Sequence, residues 1–598
     1  MNDINSLINQ TIMNYPSKIA LMGQGLCLTY LKMNEYIEEI MKEIRAFCPE
    51  EMQGKLICIY MHSSLEAIIT QFAVIRMGAI CVPLDRQTPL EYYPIDNIEN
   101  IACMITDDFS TEEQMSFPLL QIKSLSNMVF ERAIYPDSSS APISHYSHCI
   151  MTSGTTGKPK AIVLKQEAVL NQINAKIRLL KMNHDSKVCL SMGLSFVASI
   201  WQIYATIFVG GTLIVLDDQS RRSPYDILKK ADENHASILC TVPSVLQAYL
   251  MVIKNKSRKL ELNNMLTIIL TGEMLYTILT NQFYKEYDIP LINAYGQTEC
   301  SDDTFHYLIP KEIDENSLPI VPIGYPIENI RFSIVDETGK SVNKKERGEL
   351  CISGTCLANC FINDSGYNEK VFKKADALDG ATAFYTGDVV EQLENNAVVC
   401  CGRLDNQIKL HGYRIEPEAI EVSCLSYSGI RDVLVVKENT ATDAHLKLFY
   451  VPQEGIEINI NSLREYLTQR LPNYMIPSTY EEIDCIQYNE HGKKVRSENK
   501  IKMKPENISD PKDNMQKIVA IVYKKSIGRE WDSSITFKDN FVSLLNSIEF
   551  ISLIVGLEDA LNIEFDDEKF LFSAFPTLND LLNYLLFKIS NSGRESND

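Results

Sequence analysis

A glycine- and hydroxyl-rich loop between two apolar runs is the segment of this chain best suited to hold an anion. The stretch IMTSGTTGKPKAIVL, residues 150–164, contains Gly154 and Gly157, four Ser/Thr hydroxyls and two lysines. The glycines permit tight turns, and backbone N–H groups, hydroxyls and ammonium groups all donate to phosphate oxygens. The same residue types also form plain surface turns, so the loop alone leaves both interpretations open.

The spacing of the loop excludes a P-loop. A P-loop has four residues between its glycines and a Lys-Ser/Thr pair directly after the second glycine. Here two residues separate Gly154 from Gly157, and Pro159 follows Lys158. Any phosphate site at this loop must therefore belong to another class of protein.

Composition limits the classes of protein that the chain can belong to. A formal net charge of −21 disfavours binding to nucleic acid or to an anionic membrane. The sixteen cysteines include no two facing Cys-x-x-Cys units, which disfavours a zinc site, and unpaired thiols suit a reducing cytosol. The N-terminus lacks a basic-then-apolar signal, and the most apolar stretch contains His62, Glu66 and Arg76. We therefore expect a cytoplasmic protein that binds neither nucleic acid nor membrane.

The elements that must position the loop alternate between short apolar runs and amphipathic helices. KLICIYM, AICVPL, TLIVLD, SILCTV and LTIIL are typical of strands, and segments such as SLEAIITQFAVIRMG are typical of helices. This alternation predicts parallel sheets covered by helices. From about residue 390 a hairpin and a helix indicate a smaller unit, followed by the linker KMKPENISDPKDN and about 85 helical residues. The predicted fold class is α/β: a large N-terminal domain of mostly parallel sheets with helices, a small α+β C-terminal lid, and then an all-α bundle.

Seven further motifs follow one another in order along the first 500 residues. They are MGAICVPLD (77–85), NAYGQTE (293–299), GELCISG (348–354), YTGD (385–388), GRLDNQIKLHGYRIEP (402–417), LPNYMIP (471–477) and HGKKVR (491–496). With the opening loop they resemble the adenylate-forming enzymes, which include acyl-CoA synthetases, firefly luciferase and adenylation domains of nonribosomal peptide synthetases. The resemblance implies two half-reactions: a carboxylate attacks the α-phosphate of ATP to give an acyl-adenylate, and a thiol then displaces AMP.

The resemblance implies a nucleotide site built from several of these motifs. Its residues would be Thr152, Ser153, Gly154, Thr155, Thr156, Gly157, Lys160, Gly272, Glu273, Asn293, Ala294, Tyr295, Gly296, Asp388 and Arg403. The opening loop would hold the β- and γ-phosphates, and Tyr295 would stack on adenine beside Asn293. Asp388 would accept hydrogen bonds from the ribose hydroxyls, and Arg403 would contact the ribose or a phosphate.

The resemblance also implies the catalytic groups. Lys493 would bridge the attacking carboxylate and the α-phosphate, Thr298 would contact the α-phosphate, and Glu299 would hold Mg²⁺, which prefers hard carboxylate ligands. Asp405 matches the hinge about which the small domain rotates between the half-reactions. Lys493 and Lys494 are also compatible with two solvated loop lysines, and Asp405 with an ordinary turn.

The last helical unit resembles an acyl or peptidyl carrier protein through FVSLLNSIEFISLIVGLEDALNIEF, residues 541–565. The resemblance implies that Ser547 carries a 4′-phosphopantetheine arm, although a serine there could also only cap a helix. The implied domains are the large adenylation subdomain 1–403, the small mobile subdomain 404–503, the linker 504–513 and the carrier 514–598.

The acyl pocket implied by the resemblance contains two unusual carboxylates. Its residues would be Val197, Ala198, Trp201, Cys240, Ile269, Thr271, Asp302 and Asp303. Amino-acid-selecting members usually place aspartate where this chain has Val197, and an unpartnered buried ammonium is costly, so a standard α-amino acid is disfavoured. Asp302 and Asp303 either receive a cation farther from the carboxyl group, as in a β- or ω-amino acid or a guanidino acid, or point to solvent.

We therefore predict an acid–AMP ligase that loads a carboxylic acid onto its own carrier, with ATP, Mg²⁺ and 4′-phosphopantetheine as cofactors. Expected partners are a phosphopantetheinyl transferase and downstream synthetase or tailoring enzymes, since the remaining length fits no condensation or thioesterase domain. The alternative is an aryl- or fatty-acid ligase that loads an uncharged acid onto the carrier or CoA. A scaffold protein without catalysis is disfavoured by the presence of Glu299, Asp388, Arg403 and Lys493.

Overall fold

Strand–helix–strand units build the first part of the chain, as the alternating pattern predicts. The computed structural model describes residues 3–48, 51–108, 118–122, 125, 145–152, 159–253, 258–315, 317–404, 407–439, 444–453, 456–483, 486, 496, 514–527, 545, 547–561, 565–566, 569, 575 and 577–592. The helices in these segments are α1 (Ile4–Asn14), α2 (Tyr30–Phe47), α3 (Leu65–Arg76), α4 (Gln166–Leu179), α5 (Val197–Phe208), α6 (Asp218–Arg222), α7 (Pro224–Glu233), α8 (Pro243–Val252), α9 (Thr277–Glu286), α10 (Ser365–Val371), α11 (Pro417–Leu425), α12 (Ile460–Thr468), α13 (Asn514–Ile527), α14 (Ser547–Leu561) and α15 (Leu578–Ser592).

The strands of these segments form two large sheets and three smaller ones. They are β1 (Ile19–Gly23), β2 (Leu26–Thr29), β3 (Leu56–Met61), β4 (Ile80–Asp85), β5 (Ile101–Thr106), β6 (Leu119–Gln121), β7 (Tyr146–Thr152), β8 (Lys160–Lys165), β9 (Lys187–Leu190), β10 (Thr212–Val215), β11 (Ile238–Thr241), β12 (Thr267–Leu270), β13 (Leu291–Gln297), β14 (Asp302–Leu308), β15 (Tyr325–Pro326), β16 (Ile330–Val335), β17 (Arg347–Gly354), β18 (Cys360–Phe361), β19 (Phe372–Ala375), β20 (Ala381–Gln392), β21 (Val398–Arg403), β22 (Ile408–Leu410), β23 (Tyr413–Ile415), β24 (Ile430–Asn439), β25 (Ala444–Pro452) and β26 (Thr479–Glu482).

Most neighbouring strands in the two large sheets are parallel; antiparallel pairs lie at both edges of the nine-stranded sheet and at the β18–β8–β7 edge of the seven-stranded one. One has the order β15-β14-β13-β12-β11-β9-β10-β1-β2, and the other has the order β18-β8-β7-β4-β3-β5-β6. The unit β3–α3–β4 is an example of the parallel arrangement. Every residue of β3 is buried, as expected for a strand that is covered on both faces. Ser64 caps α3 by accepting a hydrogen bond from the N–H of Ala67 at 3.2 Å, and Gly78 ends the helix with a φ of 75°.

An antiparallel sheet of β16, β17, β19, β20 and β21 follows, and the sequence pattern did not predict it. The change of architecture lies near residue 330 and not near residue 390. The signal is present in β20, where buried and partly exposed residues alternate with period two. Because several of its exposed positions carry apolar or small residues, this alternation is weak in the sequence.

The remaining elements form a smaller α+β part and a group of helices. β22 and β23 form an antiparallel hairpin, and β24, β25 and β26 form a three-stranded sheet packed by α11 and α12. The α/β class with a large N-terminal part and a small C-terminal part is therefore confirmed. Leu553, Ile554 and Leu557 of α14 share one hydrophobic core with Leu246 and Tyr249 of α8. No helix in the described segments combines the length and apolar character that a membrane span requires.

Candidate active site

A cavity of about 1190 Å³ lies where the carboxyl ends of several strands meet the small C-terminal part. Ligands of open α/β sheets bind at such carboxyl ends. From the large part the wall includes Thr152, Val197, Ala198, Thr271, Gly272, Gly296, Thr298, Asp302 and Asp303, all of which the sequence assigned to the site. From the small part the wall includes Lys409, Gly412, Tyr413, Arg414 and Tyr474.

Gly412 and Tyr413 hold the small part against the large part at this cavity. The N–H of Gly412 donates to Glu273 Oε1 at 2.8 Å, and the φ of Gly412 is 78°. Tyr413 stacks on Tyr474 with ring centroids 3.8 Å apart and meets Phe196 edge-on at 5.1 Å. The Gly272–Glu273 turn that the sequence placed beside adenine is therefore also the docking point of the small part.

Asp388 is the centre of a buried hydrogen-bonded network. Its Oδ2 accepts from the Tyr295 hydroxyl at 2.6 Å and from Gln297 Nε2 at 2.9 Å, and its Oδ1 accepts from Arg403 Nη1 at 2.6 Å. Burial alone would raise the pKa of Asp388, but the cations of Lys409 and Arg403 hold that pKa below its ordinary value. The structure thus brings together Tyr295, Asp388 and Arg403, as the resemblance implies, around an ionised carboxylate.

Glu299 is buried and is bound by an arginine of the small part. Nη1 of Arg414 donates to Oε1 and Oε2 of Glu299 at 2.7 and 2.8 Å. Burial would lower the pKa of Arg414, but Glu299 raises it above its ordinary value, so the guanidinium is charged. The described segments contain no cluster of three His, Cys, Asp or Glu side chains, and Mg²⁺ commonly uses one or two carboxylates plus substrate phosphates. Glu299 fits such a metal once Arg414 has left it.

The two ends of the opening loop are in place beside the cavity. Thr152 at the end of β7 lines the cavity, and its hydroxyl donates to the carbonyl of Lys160 at 3.3 Å. Lys160 Nζ pairs with Asp364 at 2.9 Å and lies 3.4 Å from the centre of the Tyr367 ring. The loop residues Ser153, Gly154, Thr155, Thr156 and Gly157 lie outside the described residues.

The hinge and the catalytic lysine of the sequence analysis, Asp405 and Lys493, also lie outside the described residues. Arg496, which belongs to the same sequence motif as Lys493, is described and contacts α11. Its Nη1 donates to Glu421 at 2.6 Å and its Nη2 donates to Glu418 at 2.8 Å.

The remaining predicted nucleotide residues stand on β13. Asn293 is buried, and its Nδ2 donates to the carbonyl of Pro322 at 2.8 Å; Ala294 is buried beside it. Gly296 lines the cavity, and a Cβ there would collide with the carbonyl oxygen of Asp302. The glycine therefore permits the close approach of β14, which carries the two aspartates.

The predicted acyl pocket is only partly exposed to the cavity. Val197 and Ala198 at the start of α5 line it, whereas Trp201, Cys240 and Ile269 are buried behind the wall. Asp302 and Asp303 line it too and are nearly inaccessible, with 5% and 1% exposure, so neither points to solvent.

Sequence reasoning missed Lys176, which pairs with Asp303 from α4. Asp303 Oδ2 accepts from Lys176 Nζ, and Oδ1 accepts from the Thr271 hydroxyl at 2.8 Å. Asp303 is thus already paired with a protein cation and is not open to a substrate cation. A signal was available, because Lys176 interrupts the apolar stripe of Val169, Ile173 and Leu180 at helical spacing.

The start of α14 lies close to the cavity. Leu545 lines the cavity and is buried, and Ser547 is the first residue of α14, two positions later. Glu549 is buried with its Oε1 3.7 Å from Nδ1 of His445 on β25. Arg258, in the segment that follows α8, donates to Glu558 of α14 at 3.0 Å.

The sequence and the fold define an AMP-binding enzyme. The AMP-binding enzyme family matches residues 8–362, more than half of the chain, so the chain belongs to that family. Within it the chain is similar to the adenylation domains of nonribosomal peptide synthetases, and the predicted resemblance is confirmed.

Two relatives with known sequences are much longer than this chain. Tyrocidine synthase 3 of Brevibacillus parabrevis is 24% identical over 92% of this chain but 8% of its own length. Tyrocidine synthase 1 of the same organism is 26% identical over 93% of this chain and 50% of its own length. This chain therefore spans no more than about half of the length of either protein.

A solved structure of similar length matches nearly all of the chain. Holo-PA1221, a nonribosomal peptide synthetase protein that contains adenylation and PCP domains and was solved with a vinylsulfonamide inhibitor, superposes with a TM-score of 0.79. The match covers 98% of this chain and 97% of that one at 18% identity, which establishes a shared fold.

Proposed function

We propose that this chain uses ATP to activate a carboxylic acid as an acyl-adenylate and transfers the acyl group to its own C-terminal helices. The observation that carries the proposal is the buried Tyr295–Asp388–Arg403 network, whose neighbours Gln297 and Lys409 line the cavity. An ionised, anchored carboxylate is suited to accept hydrogen bonds from the vicinal hydroxyls of a ribose. Membership of the AMP-binding family supports the same nucleotide.

The nucleotide would occupy the cavity from β13 to the opening loop. Tyr295, Asn293, Ala294 and the Gly272–Glu273 turn would surround adenine. Asp388 would bind the ribose once the Tyr295 hydroxyl or the Gln297 amide releases its Oδ2. Thr298 would contact the α-phosphate, and the loop from Thr152 to Lys160 would hold the β- and γ-phosphates.

The first half-reaction joins two anions, so its barrier is mainly electrostatic. A carboxylate oxygen attacks the α-phosphorus, the bond from that phosphorus to the β-phosphate oxygen breaks, and pyrophosphate leaves. Lys493 would bridge the two anions, and Glu299 would hold a Mg²⁺ ion, which neutralises phosphate charge when bound. Arg414 must leave Glu299 before the metal can bind there.

In the second half-reaction a phosphopantetheine thiolate attacks the acyl carbon and AMP leaves. We propose Ser547 as the attachment site because α14 begins there and Leu545 already lines the cavity. The corresponding division is a large subdomain 1–403, a small subdomain 404–503 that rotates about Asp405, a linker 504–513 and a carrier 514–598. The implied partners are a phosphopantetheinyl transferase and a downstream synthetase or tailoring enzyme that takes the thioester.

Pyrophosphate exchange across a library of carboxylic acids tests the first half-reaction. We expect acid-dependent exchange, loss of exchange in Lys493→Ala with ATP binding retained, and a mild effect in the adjacent control Lys494→Ala. Absence of exchange with every acid, or equal loss in both lysine variants, would contradict the proposal. Preference for an uncharged aryl or fatty acid would instead support the alternative ligase.

Intact mass after incubation with coenzyme A and a phosphopantetheinyl transferase tests the second half-reaction. We expect one added arm in the parent and in the control Ser526→Ala, and none in Ser547→Ala. Ser547→Ala should still support exchange, because the arm is not needed for the adenylate. An arm on Ser547→Ala would place the attachment elsewhere.

A further inference from the structure

Lys176 is a buried cation that has no part in the nucleotide chemistry. Its side chain has no exposed area, although it stands on α4 among apolar neighbours. Its Nζ contacts Asp303, lies 2.9 Å from Nε2 of His306 and lies 5.2 Å from the centre of the Trp201 ring. An unpaired buried ammonium would be costly, so these contacts indicate a site built around the charge.

The protonation states of this cluster follow from its contacts. Burial lowers the pKa of Lys176, but Asp303 and Asp302 raise it more, so the ammonium is retained. Burial and the nearby Lys176 both lower the pKa of His306 well below its ordinary value, so the imidazole is neutral and its Nε2 accepts from Lys176. With Thr271 on its other oxygen, Asp303 has both carboxylate oxygens bound by this chain's own donors.

Asp302 is the carboxyl group that faces the cavity without such a partner. Its Oδ2 is buried and has no hydrogen-bond partner among the described residues, and its φ is 116°. Burial and the neighbouring Asp303 raise the pKa of Asp302 well above its ordinary value, against the opposing effect of Lys176. An ammonium beside Asp302 would oppose this rise and favour the ionised carboxylate.

We propose that Lys176 is a specificity-determining residue that acts through Asp303: its ammonium takes the place of a substrate's distal cation. This rests on the proposed function. The pocket then accepts a short amino acid whose ammonium reaches Asp302, of which β-alanine is the simplest, and rejects longer ω-amino and guanidino acids. Val197 offers no partner to an ammonium on the α-carbon. An ammonium on the β-carbon is therefore the one nearest to the substrate's carboxyl group that Asp302 can bind.

The test measures pyrophosphate exchange with acids matched in length, with and without the terminal amine. The pairs are β-alanine with propionate and 5-aminopentanoate with pentanoate. We expect the parent to prefer β-alanine over propionate and to reject 5-aminopentanoate. Lys176→Ala opens space and leaves Asp303 unpaired, so the ratio for 5-aminopentanoate over pentanoate should rise by about 10- to 100-fold, the range of a charged hydrogen bond.

Two double variants separate specificity from folding. Lys176→Ala/Asp303→Ala has the same space without the carboxylate, so the gain on 5-aminopentanoate should disappear. Lys176→Met/Asp303→Leu replaces both charges with apolar groups, an exchange that buried ion pairs commonly tolerate. Because Asp302 is intact, this variant should still favour β-alanine over propionate, whatever its overall rate of exchange, even if Lys176→Ala does not fold.

Three results would overturn the inference. They are a parent that already prefers 5-aminopentanoate, an unchanged amine ratio in folded Lys176→Ala, and loss of the β-alanine preference in folded Lys176→Met/Asp303→Leu. Absence of exchange with every acid in the parent would instead refute the proposed function.

Discussion

Substitution of Gly412 by alanine tests whether the small domain closes the cavity through this turn. With a φ of 78°, an alanine there costs about 1–2 kcal/mol of backbone strain. Its Cβ would lie 2.7 Å from Val242 Cγ1, and turning that side chain off its rotamer costs about 1 kcal/mol more. The closed arrangement, held by the bond from the Gly412 N–H to Glu273, should lose about 2–3 kcal/mol, or roughly 30- to 140-fold in population.

Pyrophosphate exchange and thermal unfolding together measure this effect. Gly339→Ala is the matched control, because Gly339 has a φ of 82° and nothing lies within 4 Å of its would-be Cβ. The control should lose about 1–2 kcal/mol of stability with exchange unchanged, whereas Gly412→Ala should lose exchange. Val242→Ala in the Gly412→Ala background should recover several-fold, about the 1 kcal/mol of the clash. Exchange in Gly412→Ala equal to the parent, or an equal loss in the control, would refute the reasoning.

Three other variants test separate contacts. Arg414→Gln should lower the Mg²⁺ concentration for half-maximal exchange by about 10-fold, since Glu299 is released from a charged donor; an unchanged requirement would argue against competition. Arg258→Ala removes the guanidinium that pairs with buried Glu558, which costs about 3–5 kcal/mol, so limited proteolysis should release the C-terminal helices faster and self-loading should slow while exchange persists; unchanged proteolysis would contradict this. Burial lowers the pKa of His148 to about 3, whereas an unfolded histidine titrates near 6.5. Stability should therefore fall as the pH drops from about 6.5 to about 3, by up to about 1.4 kcal/mol per unit, and His148→Phe should flatten that part of a denaturation profile; an unaltered slope would exclude His148 as the cause.

Local pattern was sufficient for the parallel sheets and insufficient for the sheet that follows them. In β3 a continuous apolar run predicts a strand covered on both faces, and each of its residues is buried. In β20 the period-two signal is weakened by Ala381, Gly387 and Val389 at partly exposed positions, so the antiparallel sheet is not evident. A strand covered on both faces, such as β3, selects apolar residues at every position. A strand with one partly exposed face, such as β20, selects residue type less strictly, so its pattern is weaker.

In the candidate site the sequence predicts the functional side chains but not the residues that bind them. The motifs contain Glu299 and Asp388, and Asp303 follows the first of them by four residues; the structure places Asp303 on the cavity wall and buries the other two. They do not show that Arg414 binds Glu299 or that Lys176 binds Asp303. These partners are more than a hundred residues away in sequence, and only tertiary packing brings them together.

The need for such partners is nevertheless physical and general. A buried carboxylate is unstable without compensation, so a site that binds cations or hydroxyl donors must neutralise itself while it is empty. The two cations differ in how easily they can leave. Arg414 has 22% of its side chain exposed and belongs to the small domain, whereas Lys176 has none exposed and belongs to a core helix. Under the proposed function, Arg414 would therefore give way to a metal ion at Glu299, whereas Lys176 would stay in place and keep Asp303 from binding a substrate cation.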